Sequence, residues 1–336
     1  MPPWLGPLNL PALLSLFRTN QAYAGLLLFV YALVLWLPTF FFPVTPVEGA
    51  AGDGVLGHWL AQALADRTHL ATVVTVLLVG VQGIQLVTWA TRHNLSRSVT
   101  QFPGVFLVLV SALVYQFHGF SGYQPANLFL LFGLLALGRL YKREEPAVAL
   151  FNAGAWLGVA SLFRPEYLFF LPAFVATMSI LRQLDLRSVL QILTGIGLIY
   201  FFLAVTGYLT GEYAAYVSRQ FGQFGLPEID GLTPRNLPGL ATLGLLLLAV
   251  LLGFGRISRM LNIEGSKNVS ALAWFLLVSV LVASVTDNAT VSTAQVLVVP
   301  LGGLLGLGMV NMAPSRAEAV HLVLMAVAMV PLFLSW

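Results

Sequence analysis

Residues 147–181 read Ala147-Val-Ala-Leu-Phe-Asn-Ala-Gly154-Ala-Trp-Leu-Gly158-Val-Ala-Ser-Leu-Phe-Arg164-Pro165-Glu166-Tyr-Leu-Phe-Phe-Leu-Pro172-Ala-Phe-Val-Ala-Thr-Met-Ser-Ile-Leu181. Two continuous apolar runs meet at one short polar break. Neither run alternates, so neither suits a transmembrane barrel strand. Each approaches the roughly 20 residues that a helix needs to cross the hydrocarbon core. Pro165 stops the first helix and can start the second. The stretch therefore predicts a tight helical hairpin in a membrane.

The same pattern extends outward over the whole chain. Eleven apolar segments fall at about 23–43, 70–90, 103–118, 124–141, 147–163, 165–181, 188–209, 236–255, 269–286, 291–311 and 317–335. The third to sixth are short for a full crossing. Of the 336 residues, 58% are hydrophobic and only 9% are charged, against roughly 25% charged in a soluble domain. That balance excludes a soluble enzyme, a nucleic-acid binder and a disordered tail. The absence of cysteine excludes disulfides, thiolate metal sites and cysteine nucleophiles. The expected fold is an all-α polytopic transmembrane helix bundle, with residues 1–336 forming a single integral membrane domain.

Charge placement supplies a topology. With the N-terminus inside, the inner segments hold Arg18, Arg92, Arg97, Arg139, Lys142, Arg143, Arg182, Arg187, Arg256, Arg259, Lys267 and Arg316. The outer segments keep Arg67, Arg164, Arg219 and Arg235, together with most of the acids. The expectation is eleven spans, N-terminus in and C-terminus out, in a bacterial cytoplasmic (inner) membrane. Residues 1–21 lack the pattern of a removable signal peptide; Leu8, Leu10, Leu13, Leu14 and Phe17 suggest an interfacial segment. Both long loops, 44–69 and 210–235, then lie outside, and loops on rigid scaffolds often carry function.

In the first outer loop, Leu56, Trp59, Leu60, Ala63 and Leu64 share one face of an amphipathic helix. Asp53 lies between Gly52 and Gly54 just before it. It reads either as a general base or ligand for a polar substrate, or as a helix N-cap. At the hairpin tip, Arg164 reads either as a phosphate or carboxylate ligand, or as a snorkelling side chain paired locally with Glu166. The second long loop carries Glu212, Tyr213, Tyr216, Arg219, Phe221, Phe224, Glu228 and Asp230. These suit a sugar or headgroup site, or an interfacial aromatic belt.

The histidines, His58, His69, His93, His118 and His321, have no metal-ligand spacing, so no metal and no cofactor is expected. Gly154-xxx-Gly158 and Gly302-xxx-Gly306 should permit close helix approach, and Pro300 should kink the tenth span. Gln82, Gln85, Asn152 and Gln295 should bond between helices. No charge sits mid-span, which disfavours an ion-coupled transporter.

Two resemblances follow. Arg18-Thr-Asn-Gln, Val81-Gln-Gly-Ile-Gln85 and Phe151-Asn-Ala-Gly-Ala-Trp-Leu-Gly-Val-Ala-Ser-Leu-Phe resemble a Bacteroidota-type family of multi-pass inner-membrane proteins, over nearly the whole chain. More distantly, Gly154 to Glu166, followed by Phe169-Phe-Leu-Pro172, resembles the G-L-A-x-L-x-R-P stretch of the GT-C class of membrane glycosyltransferases. The order of span, acidic outer loop, interfacial helix and paired short spans is similar over about residues 22–180. That likeness implies a polyprenyl-phosphate sugar donor, with Asp53 matching the acidic base and Arg164 the outer-face arginine; Glu48, Glu166 and Arg219 are the further candidate substrate contacts. The class usually carries a paired Asp-Glu in this loop; here Glu48 stands five residues from Asp53.

The leading expectation is therefore GT-C-like sugar transfer at the outer membrane face. The partners would be membrane lipids and a polyprenyl-phosphate-linked sugar. The alternatives are a scaffold or assembly factor of the cell envelope with membrane protein partners, and an uncoupled lipid or small-molecule carrier.

Overall fold

Continuous apolar sequence leaves the backbone no water to bond with, so each run closes its own hydrogen bonds as a helix. A computed structural model describes residues 13–18, 24–44, 53–96, 99–141, 146–181, 184–221, 232–259, 261–285 and 291–333. Among them are thirteen α-helices and no strand. The helices are α1 (Ala24–Phe41), α2 (Val55–Leu64), α3 (Thr68–Arg92), α4 (Phe102–Ala112), α5 (Tyr123–Gly138), α6 (Ala147–Phe163) and α7 (Leu171–Leu181). Then come α8 (Leu186–Thr210), α9 (Tyr213–Phe221), α10 (Leu237–Arg259), α11 (Ile263–Val285), α12 (Val298–Val310) and α13 (Pro314–Phe333). Short 3-10 turns cover Leu13–Arg18, Tyr115–His118, Pro165–Phe170 and Val291–Leu297.

The protein is an all-helical, multi-pass membrane protein. Among the described residues, six helices are long and apolar enough to cross a bilayer: Thr68–Arg92, Leu186–Thr210, Leu237–Arg259, Ile263–Ser284, Val291–Val310 and Pro314–Phe333. Five shorter apolar helices fill the other runs: Gly25–Phe41, Phe102–Ala112, Tyr123–Gly138, Ala147–Phe163 and Pro165–Leu181.

Helix length and position are related. Every residue of α4 is buried, and α4 packs on α1, α3 and α12 at the centre. A helix wrapped in protein need not match the bilayer thickness, because neighbours satisfy the backbone at its ends. The long helices α8 and α10 lie at the periphery, where Phe201, Phe202, Leu245, Leu248 and Leu252 are exposed for lipid. Asp185 starts α8 by accepting the Ser188 N–H at 2.8 Å, an N-cap that satisfies one orphan donor.

Small residues set the closest crossings. A Cβ on Gly154 would lie 2.0 Å from the Ile192 carbonyl oxygen, so α6 and α8 touch through backbone there. Gly302 and Gly306 similarly admit Leu107 and Phe102 of α4. These glycines thus permit the close helix approach expected of them, with partners inside the chain. Pro300 lies near the middle of the Val291–Val310 span, just after its 3-10 part gives way to α-helix at Val298.

Buried amides join the interior. Gln82 donates to the Gln124 carbonyl at 2.8 Å, and the Gln295 carbonyl accepts from Asn127 at 2.8 Å. Gln85 departs from the expectation, since its Oε1 has no partner among the described residues. Of the N-terminal segment, Leu14 and Phe17 are buried, and the N–H groups of Leu13 and Leu14 donate to the Glu318 carboxylate at 2.9 and 3.0 Å. Leu8 and Leu10 lie outside the described residues.

Candidate functional site

The turns at one end of the bundle bring distant polar residues together. The α6 helix ends where Pro165 follows Arg164, and Arg164 takes an extended conformation. That turn aims the guanidinium inward, across the N-terminus of α5 and the loop before α2. Arg164 Nη1 donates to Asp53 Oδ1 at 3.1 Å. Its Nε and Nη2 reach Glu166 Oε1 at 2.8 and 2.7 Å. Nη2 also donates to the Tyr123 hydroxyl, which donates in turn to Glu166 Oε1 at 2.7 Å. The guanidinium carbon stands 4.0 Å from the Tyr123 ring centroid, within cation–π range.

Asp53 is 5% exposed, Arg164 4% and Glu166 4%. Burying charges costs several kcal/mol apiece unless they are paired and hydrogen-bonded. One cation here serves two carboxylates. Burial accordingly pushes the Asp53 carboxyl above its ordinary value; the Arg164 charge and hydrogen bond oppose the rise, and Glu166 adds to it. A carboxylate tuned upward is better matched to proton transfer near neutral pH.

The approach of α2 needs glycine. A Cβ on Gly54 would lie 2.4 Å from the Leu162 carbonyl oxygen, and one on Gly57 2.4 Å from that of Phe163. Gly54 N–H donates to the Phe163 carbonyl at 2.9 Å. Gly54, not Asp53, is the N-cap residue of α2, so the capping role considered for Asp53 is not the one it takes. The packed face of α2 carries Val55, Gly57 and Leu64, while Trp59 is 67% exposed. Leu60 and Leu64 of the expected face pack against Ala71 and Phe120, while Trp59 and Ala63 stay exposed.

A second polar strap crosses the site. Gln220 of α9 is fully buried; its Nε2 donates to the Ser161 carbonyl at 2.6 Å and to the Tyr200 hydroxyl at 3.0 Å. Its Oε1 accepts the Val55 N–H at 3.4 Å. The α9 helix thus ties the α2 entry to α6 and α8. Arg219, its half-buried neighbour, faces His58: partial burial and the Arg219 charge lower the His58 pKa, while Asp53 opposes them.

The structure therefore brings together Asp53, Arg164 and Glu166, with Arg219 at the margin. Glu48, Phe224, Glu228 and Asp230 lie outside the described residues. Tyr213 and Phe221 are exposed on α9, beside a hollow of about 250 Å³ that Tyr200 and Tyr216 also line. Sequence reasoning missed Tyr123 and Gln220. Their only signal was a polar group at the edge of an apolar run. Among the described residues, no three His, Asp or Glu side chains converge as a metal would need. Four histidines find other neighbours: His69 stacks on Phe40, His93 pairs with Glu264, His118 packs on Trp36 and His321 bonds Tyr31.

No family model matches the chain, and no curated protein matches it. The Bacteroidota-type resemblance thus has no counterpart among these comparisons. Among solved structures, the chain is similar to ArnT from Cupriavidus metallidurans bound to undecaprenyl phosphate, with 15% identity and a TM-score of 0.53. The likeness covers 91% of this chain and 63% of the ArnT chain, so this protein spans less than two thirds of that neighbour's length. At this identity the likeness establishes the fold, an ArnT-like multi-pass membrane fold.

Proposed function

We propose that the protein transfers a sugar from a polyprenyl-phosphate donor at the outer face of the bacterial inner membrane, in the manner of the GT-C class. The observation that carries this reading is the convergence of Asp53, Arg164, Glu166 and Tyr123 at one end of the bundle. The GT-C-like stretch around Arg164 and the fold shared with ArnT, whose structure holds undecaprenyl phosphate, both support it. The charge pattern supports eleven spans with this end outward.

In this reaction Asp53 takes the proton from an acceptor hydroxyl. The hydroxyl oxygen bonds to the anomeric carbon as the bond from that carbon to the phosphate oxygen breaks. The polyprenyl phosphate departs with the electron pair. Arg219 stabilises the leaving phosphate at the margin, and Arg164 supplies a second positive charge while holding Asp53, with Glu166 fixing Arg164. Fixed charges aimed at a developing anion are the usual protein contribution to such a step. Glu48 belongs to the same loop and completes the proposed set.

One observation favours a second reading. Asp53 and Arg164 are sealed from solvent, as a purely structural ion pair would be. On that reading the protein is a non-enzymatic envelope scaffold or assembly factor. A deletion strain complemented with wild type or Asp53→Asn separates the two. Accumulation of a lipid-linked sugar, rescued by wild type but not by Asp53→Asn, supports transfer. Unchanged glycans in the deletion strain, or full rescue by Asp53→Asn, overturn it.

A further inference from the structure

The end of the bundle remote from Asp53 carries its own polar cavity. Its volume is about 290 Å³, and Arg92, His93, Gly138, Arg139, Tyr141 and Glu264 line it. The α5 helix links the two ends: Tyr123 opens it at the Asp53 cluster, and Gly138 closes it at the cavity. At 1.5 Å rise per residue the separation is about 20 Å, so the cavity is distinct from the site described above.

Its chemistry is one-sided. Among the described residues neither Arg92 nor Arg139 has a carboxylate partner. The one carboxylate in the wall, Glu264, is engaged by His93 Nδ1 at 3.1 Å. Lys267, one turn beyond Glu264, places its ammonium 5.4 Å from the Tyr141 ring centroid. Behind the wall, Trp89 is fully buried and its indole Nε1 has no hydrogen-bond partner. That N–H faces Gly138: a Cβ there would lie 2.8 Å from Trp89 Nε1 and 2.6 Å from His93 Nε2. Gly138 thus lets Trp89 and His93 pack directly against the α5 backbone, and of the two only His93 lines the cavity.

We infer that this cavity binds a phosphate-bearing anion. Two planar guanidinium forks match phosphate geometry, and the Lys267 ammonium beside Tyr141 adds positive charge to the same wall. The cavity is large enough for a phosphate with a small substituent, which points to a phosphomonoester or a phosphodiester headgroup. Charge-based topology places it on the cytoplasmic side, where both a soluble phosphate ester and an anionic phospholipid are within reach. The inference does not depend on the proposed sugar transfer.

The test uses the full chain in detergent, with two probes titrated by calorimetry: glycerol 3-phosphate and dihexanoyl phosphatidylglycerol. The variant is R92Q/R139Q, which changes exposed side chains. We expect it to weaken binding at least tenfold. Binding of glycerol 3-phosphate identifies a soluble ester as the source. Binding of the short lipid without glycerol 3-phosphate identifies a membrane headgroup. Binding of neither probe, or affinity unchanged in R92Q/R139Q, overturns the inference.

Discussion

Asp53 and Arg164 stand 111 residues apart in sequence and share a 3.1 Å ion pair that joins the first interhelical loop to the turn after α6. The pair is buried on both sides, and Glu166 completes it from the other edge of the guanidinium.

Removing the cation leaves two buried carboxylates without compensation. Arg164→Ala should cost about 3–5 kcal/mol, read as a fall in the unfolding midpoint in detergent. Adding Asp53→Asn to that variant should recover part of the loss, because the two changes act on one network. Additive losses in the double variant would show that the pair is not coupled.

The pH response follows from the raised Asp53 pKa. A carboxyl whose folded pKa exceeds its unfolded value favours the fold most below the ordinary carboxylate range, and that contribution is lost as pH rises through the folded pKa. Wild type should therefore lose stability relative to Asp53→Asn as pH climbs from about 4 toward neutrality. Thermal melts of both proteins across that window check it; parallel curves would refute it.

Gln220 predicts a local effect. Gln220→Leu removes the acceptor for Val55 N–H and the donor for the Ser161 carbonyl. Unsatisfied buried groups cost about 1–3 kcal/mol. Amide exchange should quicken in 55–64 and 213–221, with α3 and α4 unchanged. Uniform exchange across the chain would mean that α9 is not a separate strap.

Two glycines on neighbouring helices should respond oppositely. Gly154→Ala places a methyl against the Ile192 carbonyl and should destabilise the α6–α8 contact by about 1–3 kcal/mol. Gly197→Ala meets nothing within 4 Å and should stabilise α8 by about 0.5–1 kcal/mol through lost backbone freedom. Melting of the two variants side by side tests the contrast.

The helical runs were legible because hydropathy reports the solvent directly, and an apolar run has few ways to satisfy its backbone. Arg164 and Asp53 were legible as candidates because charge is rare here and stands out at Gly52-Asp53-Gly54 and Phe163-Arg164-Pro165. What joined them was not. Pairing across 111 residues depends on how α2 docks, and that rests on Gly54 and Gly57 fitting against two carbonyls. Gln220 was hidden for another reason. It follows Arg219 in an aromatic-rich loop, and no local pattern separates a buried amide from an exposed one. For α2, the amphipathic pattern marked the helix, but the close backbone approach at Gly57 carries no hydropathy signal.

The Glu318 carboxylate that receives the N–H groups of Leu13 and Leu14 sets an order of events during synthesis. Residue 14 leaves the ribosome 304 positions before its acceptor. At about 5–20 residues per second, that is a wait of roughly 15–60 s. Phe17 anchors the turn earlier, its carbonyl accepting the Gln101 N–H at 2.9 Å. Its first two N–H groups wait longer, a clasp that closes only when α13 arrives.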